Sequence, residues 1–580
     1  VIVNQSNFYE VIEELSKNKF LSFDTETNGL YPYNGSSLFS VVVSDENEDY
    51  YFDFNTGGLD RGLIKTFSKL FVGSDCIRFA HNAKFDLHFL SKEGVEIGDC
   101  KIHDTEVIAR LLYNQHEKYT LAECAARIGL EKLGSEVEEW IEANNAFEEG
   151  TKRPMYERVP FELMYRYATR DSRITYQLGM HQLSQITEEL KTAVDIEYGA
   201  TIALFHMEQV GIKIDPDIAK KGFEYETKRM EGYKAELDKE FGKEFIDHAD
   251  HIKEYFESRG FKVGVTPDGN PSAAAWVLEG IDHPVAKLIL DYRDALKRRN
   301  TYWANILEYA DKDFVIHPNF RQAGAMTLRT SCTSPNMQNQ SKEDDSPIPL
   351  RSAFVPRDGY TFVEFDFAAQ EFRLAVDYAK EYHLAEQIKN GFDPHTASAE
   401  ITGLDRKKAK VMNFALLYGC GASKLAKMLN CSVDEAKLFK AKYFNKLPGI
   451  KNFIYRASEA AKTNGFVRNW AGVRYYFPDK NWAYKAANSV IQGGCAYISK
   501  NAMRLIDEFL KDKKSRMVLQ VHDSILLEMP DSEFHLIPEI QSLMIKAYPH
   551  KIMPMGASVE WSRTNWSSLQ KGMPSEGSQV

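Results

Sequence analysis

At 580 residues, with 43% hydrophobic and 27% charged side chains, the chain has an ordinary globular composition and is too long for one core. It holds no run of about 18 apolar residues, and VIVNQSNFYEVIEEL has neither a basic start nor an apolar signal core, which excludes a membrane-spanning helix and points away from secretion. The formal net charge of −11 speaks against a polyanion partner for the whole molecule, yet residues 401–510 hold 19 Lys/Arg against 7 Asp/Glu. Such a local surplus suits a polyanion site; a solvated helical face is the plainer reading.

In chain order, FLSFDTET, SSLFSVVVS and EDYYFDF read as three strands, and CIRFAHNAKFDLHFL as a strand entering a helix, so residues 1–185 carry α/β patterning. From about 186 to 310 the patterns are helical with charged faces, as in FEYETKRMEGYKAELDKEF. TFVEFDFAA (361–369) and MVLQVHDSILLEM (517–529) each read as one strand, separated by mainly helical sequence. KGMPSEGSQV reads as a frayed tail. The seven cysteines (76, 100, 124, 332, 420, 431 and 495) are scattered and never form C-x-x-C, which suggests a reducing compartment and argues against a zinc site.

Asp24 and Glu26 lie two apart on the first of these strands, so both carboxylates face the same way. That juxtaposition is costly unless a cation or a proton separates them. Asp86 opens a probable helix, where an Asp is more often a cap than a catalyst. Tyr167 and Asp171, four apart, share one helical face. Together D-T-E, N-x-x-F-D and Y-x-x-x-D resemble the three exonuclease motifs of the proofreading domain of DNA polymerases, a ribonuclease H-like fold. The resemblance implies that Asp24, Glu26 and Asp171 hold one divalent ion, that Asp86 helps place a second, and that Tyr167 orients the attacking water. Asp104 also stands where that family tends to keep an acid.

In the second half, Asp366 ends one apolar strand with Glu371 and Arg373 just beyond, and Asp523 interrupts another beside His522. Charges in apolar runs are seldom fully buried unless paired or metal-bound. Between them, Arg406, Lys410, Phe414 and Tyr418 recur every four residues as one helical stripe. Two cations followed by two aromatics suit a triphosphate and then a base or sugar; a basic edge merging into a core edge is the plainer reading.

These segments resemble motifs A, B and C of family A, polymerase I-like DNA polymerases, and the resemblance covers nearly the whole chain. Its B motif is matched by Arg406, Lys410, Asn413, Phe414, Tyr418 and Gly419. It implies that Asp366 and Asp523 carry two Mg²⁺ ions, with Mn²⁺ able to substitute, and that Arg406, Lys410 and His395 hold the triphosphate. Lys410 would protonate the leaving group, Phe414 would lie by the sugar, Glu371 would block a 2′-hydroxyl, and Tyr418 would close the nascent pair pocket. Arg329, Asn336, Gln338 and Asn339 of TLRTSCTSPNMQNQ, with Asn488, Gln492 and His522, would contact primer-template DNA.

The implied fold is multidomain, α/β and α+β: a ribonuclease H-like exonuclease domain (1–185), then a right-hand polymerase domain. The latter divides into thumb and start of palm (186–325), palm with motif A (326–375), fingers (376–485), and palm with motif C and tail (486–580). The implied function is template-directed DNA synthesis with 3′–5′ proofreading in DNA replication. Its partners would be primer-template DNA, dNTPs and unidentified replisome proteins. A monomer with no membrane attachment is expected, in a bacterial or phage-infected cytoplasm or an organelle. Ser524 replaces a usual second carboxylate, Tyr484 a frequent arginine, and Leu328 a usual glycine, so one DNA contact and one turn are expected to differ. The thumb-like region, about 216–310, is short. A decayed replication scaffold and a single-subunit RNA polymerase are the competing readings; intact Asp366, Lys410 and Asp523 argue against the first and Glu371 against the second.

Overall fold

The computed structural model describes residues 1–55, 58–132, 136–265, 270, 272–340, 342 and 344–574. Part of the expected tail, residues 575–580, lies outside the described residues.

The N-terminal sheet has six strands in the order Ile2–Val3, Asp49–Asp53, Leu38–Ser44, Phe20–Thr27, Ile77–Ala80 and Lys101–Asp104. Phe20–Thr27 lies at its centre, antiparallel to Leu38–Ser44 and parallel to Ile77–Ala80. Leu21 and Phe23 sink into the core beneath it, leaving Asp24 and Glu26 half-buried at its end. The helix Phe161–Gln185 lies across this sheet, and small residues let it come close. Ser22 Oγ donates to Ser172 O at 2.8 Å, and Ser44 Oγ donates to Ser172 Oγ at 2.8 Å. A Cβ on Gly179 would stand 2.3 Å from the Phe79 ring. That packing carries Tyr167 and Asp171 over the strand that bears Asp24 and Glu26.

The helices Pro216–Phe241 and Pro284–Lys297 pack together around a small core of Leu237, Phe245, Phe256 and Ile289. Farther on, a five-stranded antiparallel sheet runs in the order Arg516–Val521, Ser524–Pro530, Tyr360–Phe367, Ala557–Ser562 and Gln570–Lys571. The sequence expectation of a single strand over 517–529 is corrected here. The run folds back on itself as a hairpin, turning at His522 and Asp523, with His522 in the left-handed region at φ 56°. No Gly, Pro or Asn marks that turn, so the apolar pattern reads straight through it. The expected strand 361–369 ends at Phe367, and Ala369 takes φ 51° before the helix Gln370–Ala379.

Two buried polar clusters bind these parts together. Lys500 Nζ pairs with Glu197 at 2.7 Å and Tyr497 OH donates to the same carboxylate at 2.6 Å, joining the helices Ala486–Leu510 and Lys191–Val210. At the other cluster Glu208 pairs with Lys84, accepts from Phe320 N at 2.6 Å and meets His88 Nε2 at 2.7 Å. Lys84 also donates to Phe320 O at 2.6 Å. An N-terminal helix, Ala83–Lys92, is thereby fixed to the second half of the chain.

Candidate active sites

The first site sits where Phe20–Thr27, Ala83–Lys92 and Phe161–Gln185 meet. Asp86 is buried; its Oδ1 accepts from Thr25 N at 2.9 Å and Thr25 Oγ1 at 2.6 Å, so the middle residue of D-T-E fixes the third acid. Burial, and then the charges of Asp86, Glu26 and Asp171, push the Asp24 carboxyl well above its ordinary range. Burial and Asp171 raise Glu26 to about 8, against the pull of Lys132. Burial raises Asp86 to about 7, opposed by the two Thr25 hydrogen bonds. Four acids thus converge and resist ionising together. Burial likewise raises Asp171, against Lys132, whose Nζ lies 2.6 Å from Asp171 Oδ2 and 5.1 Å from the centre of the Tyr167 ring. Asp171 Oδ1 is buried with no hydrogen-bond partner. No sequence motif points to Lys132, which comes from an irregular loop.

Asp104 borders this group, and its charge adds to the rise that burial gives Asp86, but its own carboxylate is taken up by backbone N–H groups. Its carboxylate accepts from Asn82 N at 3.1 Å and Ala83 N at 2.8 Å, and also from Glu106 N at 3.0 Å and Val107 N at 3.3 Å. It caps the starts of two helices, Ala83–Lys92 and Thr105–Leu112.

The second site lies at the end of the five-stranded sheet. Asp366 pairs with Ser524 in register, and Phe367 N donates to Asp523 O at 3.1 Å, so the hairpin turn sets Asp523 beside Asp366. Burial and then Asp523 and Glu364 raise Asp366 to about 7, while Lys342 lowers it. Burial raises Asp523 as well. Lys342, which the sequence reading missed, pairs with Glu560 at 2.6 Å, and Glu560 faces Glu364 across the sheet. Ser524 is buried and its hydroxyl donates to Val521 O at 3.1 Å, serving the turn and not the acidic pair.

The helix Arg406–Leu417 is tied to this end at its C-terminus, where Tyr418 OH donates to Glu371, a charge close enough to act on Asp523. Along its stripe Arg406 and Lys410 are exposed, while Phe414 and Tyr418 are half-buried, so cationic tips give way to aromatic rings. Arg406 makes a two-pronged pair with Asp393, at 3.0 and 2.9 Å, which holds the Asp393 carboxyl below its usual range. Burial keeps the His395 ring below its ordinary value, with Lys410 and Arg406 adding to the effect. The ring bonds Asn413 Nδ2 at 3.1 Å and lies 5.9 Å from Phe414. Glu371 pairs with Arg329 at 2.6 Å and accepts from Tyr418 OH, so three sequence-selected residues form one cluster. Leu328, beside Arg329, holds φ 60° with its side chain buried.

Asn336 and Asn339 are exposed, Asn488 and Gln492 half-buried, and His522 exposed at the hairpin tip. Gln338, expected to contact primer-template DNA, points inward in the free chain. It is buried, and its Nε2 donates to Gln520 Oε1 at 2.8 Å, tying the Met337–Asn339 turn to the strand that leads into Asp523. That partner is remote in sequence, and local spacing gives no sign of it.

Two family models match this arrangement: DNA polymerase family A over residues 220–568 and a 3′-5′ exonuclease over residues 1–188. The first spans more than half of the chain, and the protein belongs to DNA polymerase family A, with a 3′-5′ exonuclease domain ahead of the polymerase domain. It is similar to DNA polymerase I of Borreliella burgdorferi, 27% identical over 97% of this chain and 63% of the relative. It is also similar to DNA polymerase DpoZ of Salmonella phage PMBT28, 27% identical over 88% of this chain and 91% of the relative. DNA polymerase DpoZ of Acinetobacter phage SH-Ab 15497 is 26% identical over 94% of this chain and 96% of the relative. The chain therefore spans less than two thirds of the Borreliella relative but nearly the full length of the phage ones. A solved structure titled "POL domain of Pol1 from M. smegmatis complex with DNA primer-template and dNTP" shares the fold, with a TM-score of 0.82, 22% identity and coverage of 98% of this chain and 99% of that one.

Proposed function

We propose that this chain extends a DNA primer on a template at Asp366 and Asp523, and removes mispaired 3′ ends at Asp24, Glu26, Asp86 and Asp171. The observation that carries the reading is the meeting of Asp366 and Asp523 at one sheet end, with Glu371 beside them bonded to Tyr418, the last residue of a stripe that runs Arg406, Lys410, Phe414, Tyr418. The Pol1 relative's title names primer-template DNA and dNTP, the ligand classes proposed for this chain.

Both acidic clusters suit divalent cations. Their carboxyls are raised by burial and by one another, and Asp171 Oδ1 is buried without a partner. Among the described residues no three or more Asp, Glu, His or Cys side chains come together as a ready-made metal-binding group. Mg²⁺ favours open sites, taking one or two carboxylates together with waters and substrate phosphates. Asp366 and Asp523 would hold two such ions, and Asp24, Glu26, Asp86 and Asp171 two more. Bound there, divalent ions lower the pKa of an attacking hydroxyl or water and neutralise charge on the phosphate oxygens.

The protein's own groups supply the rest. Arg406 and Lys410 bind the triphosphate, and Lys410 gives a proton from Nζ to the leaving pyrophosphate. Arg406 reaches the nucleotide by exchanging its exposed pair with Asp393, a small cost because such pairs contribute about 0–1 kcal/mol. Phe414 lies against the sugar. Glu371, held by Arg329 and Tyr418, excludes a 2′-hydroxyl. Tyr167 orients the water at the editing site. His395, whose ring burial keeps below its ordinary value, binds phosphate through a ring N–H.

The test is primer extension by the pure chain with Mg²⁺ and either four dNTPs or four rNTPs. Extension with dNTPs in strong preference to rNTPs is expected. No extension with either would remove the polymerase reading, and equal use of both would favour a single-subunit RNA polymerase.

A further inference from the structure

The helix Leu121–Arg127 is followed by a left-handed Gly129 with φ 76°, and Leu130 N closes the turn on Ala125 O at 3.0 Å. The chain is then clipped to the helix Phe161–Gln185, where the Arg170 guanidinium donates to Glu131 O at 3.2 and 2.9 Å. Arg170 directly precedes Asp171, so the clip fixes this loop one residue from an acid of the first site. Lys132 follows Glu131, and its side chain is only 25% exposed. Holding a lysine stem in this way costs rotamer freedom, and chance pairing at a surface returns little for it.

Three contacts define where the ammonium sits. Nζ lies 2.6 Å from Asp171 Oδ2, 3.5 Å from Tyr167 OH and 5.1 Å from the centre of the Tyr167 ring. Its charge reaches Asp24 and Glu26 as well, offsetting part of the rise that burial gives both carboxyls. Two roles are open to a cation in this position: it could stand in the place of a divalent ion and compete with it, or it could hold a ligand of that ion from behind. Asp171 decides between them. Its Oδ2 is taken by Lys132, while its Oδ1 is buried and has no hydrogen-bond partner. Lysine and ion therefore address different oxygens of one carboxylate.

We infer that Lys132 is a positioning residue of the editing site, holding Asp171 by Oδ2 so that Oδ1 stays free for a divalent cation shared with Asp24 and Glu26. The inference rests on the editing half of the proposed function and adds a residue to it. A partner behind a liganding group fixes its orientation, and removing such a partner lowers metal affinity by about ten- to a hundredfold. Without the ammonium, the Asp171 carboxylate gains orientations in which Oδ1 no longer meets the ion. The same ammonium beside the Tyr167 ring keeps the hydroxyl proposed to orient the water on the Asp171 side of the site.

The test measures Mn²⁺ binding to the full chain without DNA, by electron paramagnetic resonance at alkaline pH. All chains carry Asp366→Ala to weaken the synthetic site, and the added Asp24→Ala, Glu26→Ala pair defines what binds elsewhere. Lys132→Met should weaken binding at the editing site by about ten- to a hundredfold, and Lys132→Arg, which keeps a cationic donor, should fall between it and the unchanged lysine. Arg170→Met, which removes only the clip on Glu131, should shift affinity in the same direction. Excision by Lys132→Met should reach its half-maximal rate at a Mn²⁺ concentration raised by the same factor as the binding constant. Affinity left unchanged or tightened by Lys132→Met would overturn the inference, and tightening would mark the lysine as the ion's competitor. If Asp24→Ala and Glu26→Ala removed no Mn²⁺ binding at all, the editing reading itself would fall.

Discussion

The Asp24 and Asp366 carboxyls each sit in a place that favours a proton or a cation over a bare charge. Asp366 is raised to about 7 and Glu26 to about 8, so each binds its proton more tightly folded than unfolded. By linkage, such a group costs stability as pH climbs from its unfolded value, about 4, to its folded one, and the full cost remains above that. Asp366→Asn cannot ionise and escapes this cost. In EDTA its melting temperature should exceed that of wild type by a margin that grows between pH 5 and pH 8. A margin that shrank over that range would contradict the crowding of acids at this site. Glu371 yields a second prediction at this scale. Its replacement by Ala leaves the Arg329 guanidinium and the Tyr418 hydroxyl without this shared carboxylate and would open space at the proposed sugar position. Ribonucleotide incorporation relative to deoxynucleotide incorporation should rise by at least about tenfold, as single-turnover rates would show. An unchanged ratio would remove Glu371 from sugar selection.

Individual elements differed in how legible they were. The strand Phe20–Thr27 and the helix Arg406–Leu417 are readable because their chemistry repeats with the local period, two for one and nearly four for the other. The hairpin at His522–Asp523 is not, since its turn depends on a non-glycine residue with positive φ, closed by Ser524 and Gln520. Lys132, Lys342 and the inward Gln338 were equally hidden, because each is defined by partners remote in the chain. Proximity of Asp366 to Asp523 depends on that hairpin. Gln520→Ala removes the acceptor shared by Thr330 and Gln338, leaving Gln338 Nε2 its longer contacts to Thr330 Oγ1 at 3.2 Å and Gln520 O at 3.4 Å, at a cost of about 0.5–1.5 kcal/mol. Denaturant unfolding should show this loss, and extension should fall more than 3′ degradation; equal losses would place Gln520 outside the support of the synthetic site.

Across the whole molecule, the two acidic sites belong to separate sheets, and the Glu208 cluster holds the N-terminal part against the rest. Glu208→Ala strands the buried Lys84 ammonium and should cost about 3–5 kcal/mol. Calorimetry is expected to resolve the loss as separate melting of the two halves, and a single transition unchanged in midpoint would contradict the coupling. Because the sites are separate, their activities should divide cleanly. The most direct measurement follows one labelled primer-template over time, with and without dNTPs, for wild type, Asp366→Ala and the Asp24→Ala, Glu26→Ala double variant. Asp366→Ala should shorten the primer but never extend it, and the double variant should extend but never shorten it. Loss of both activities in either folded variant would contradict the assignment of two independent sites.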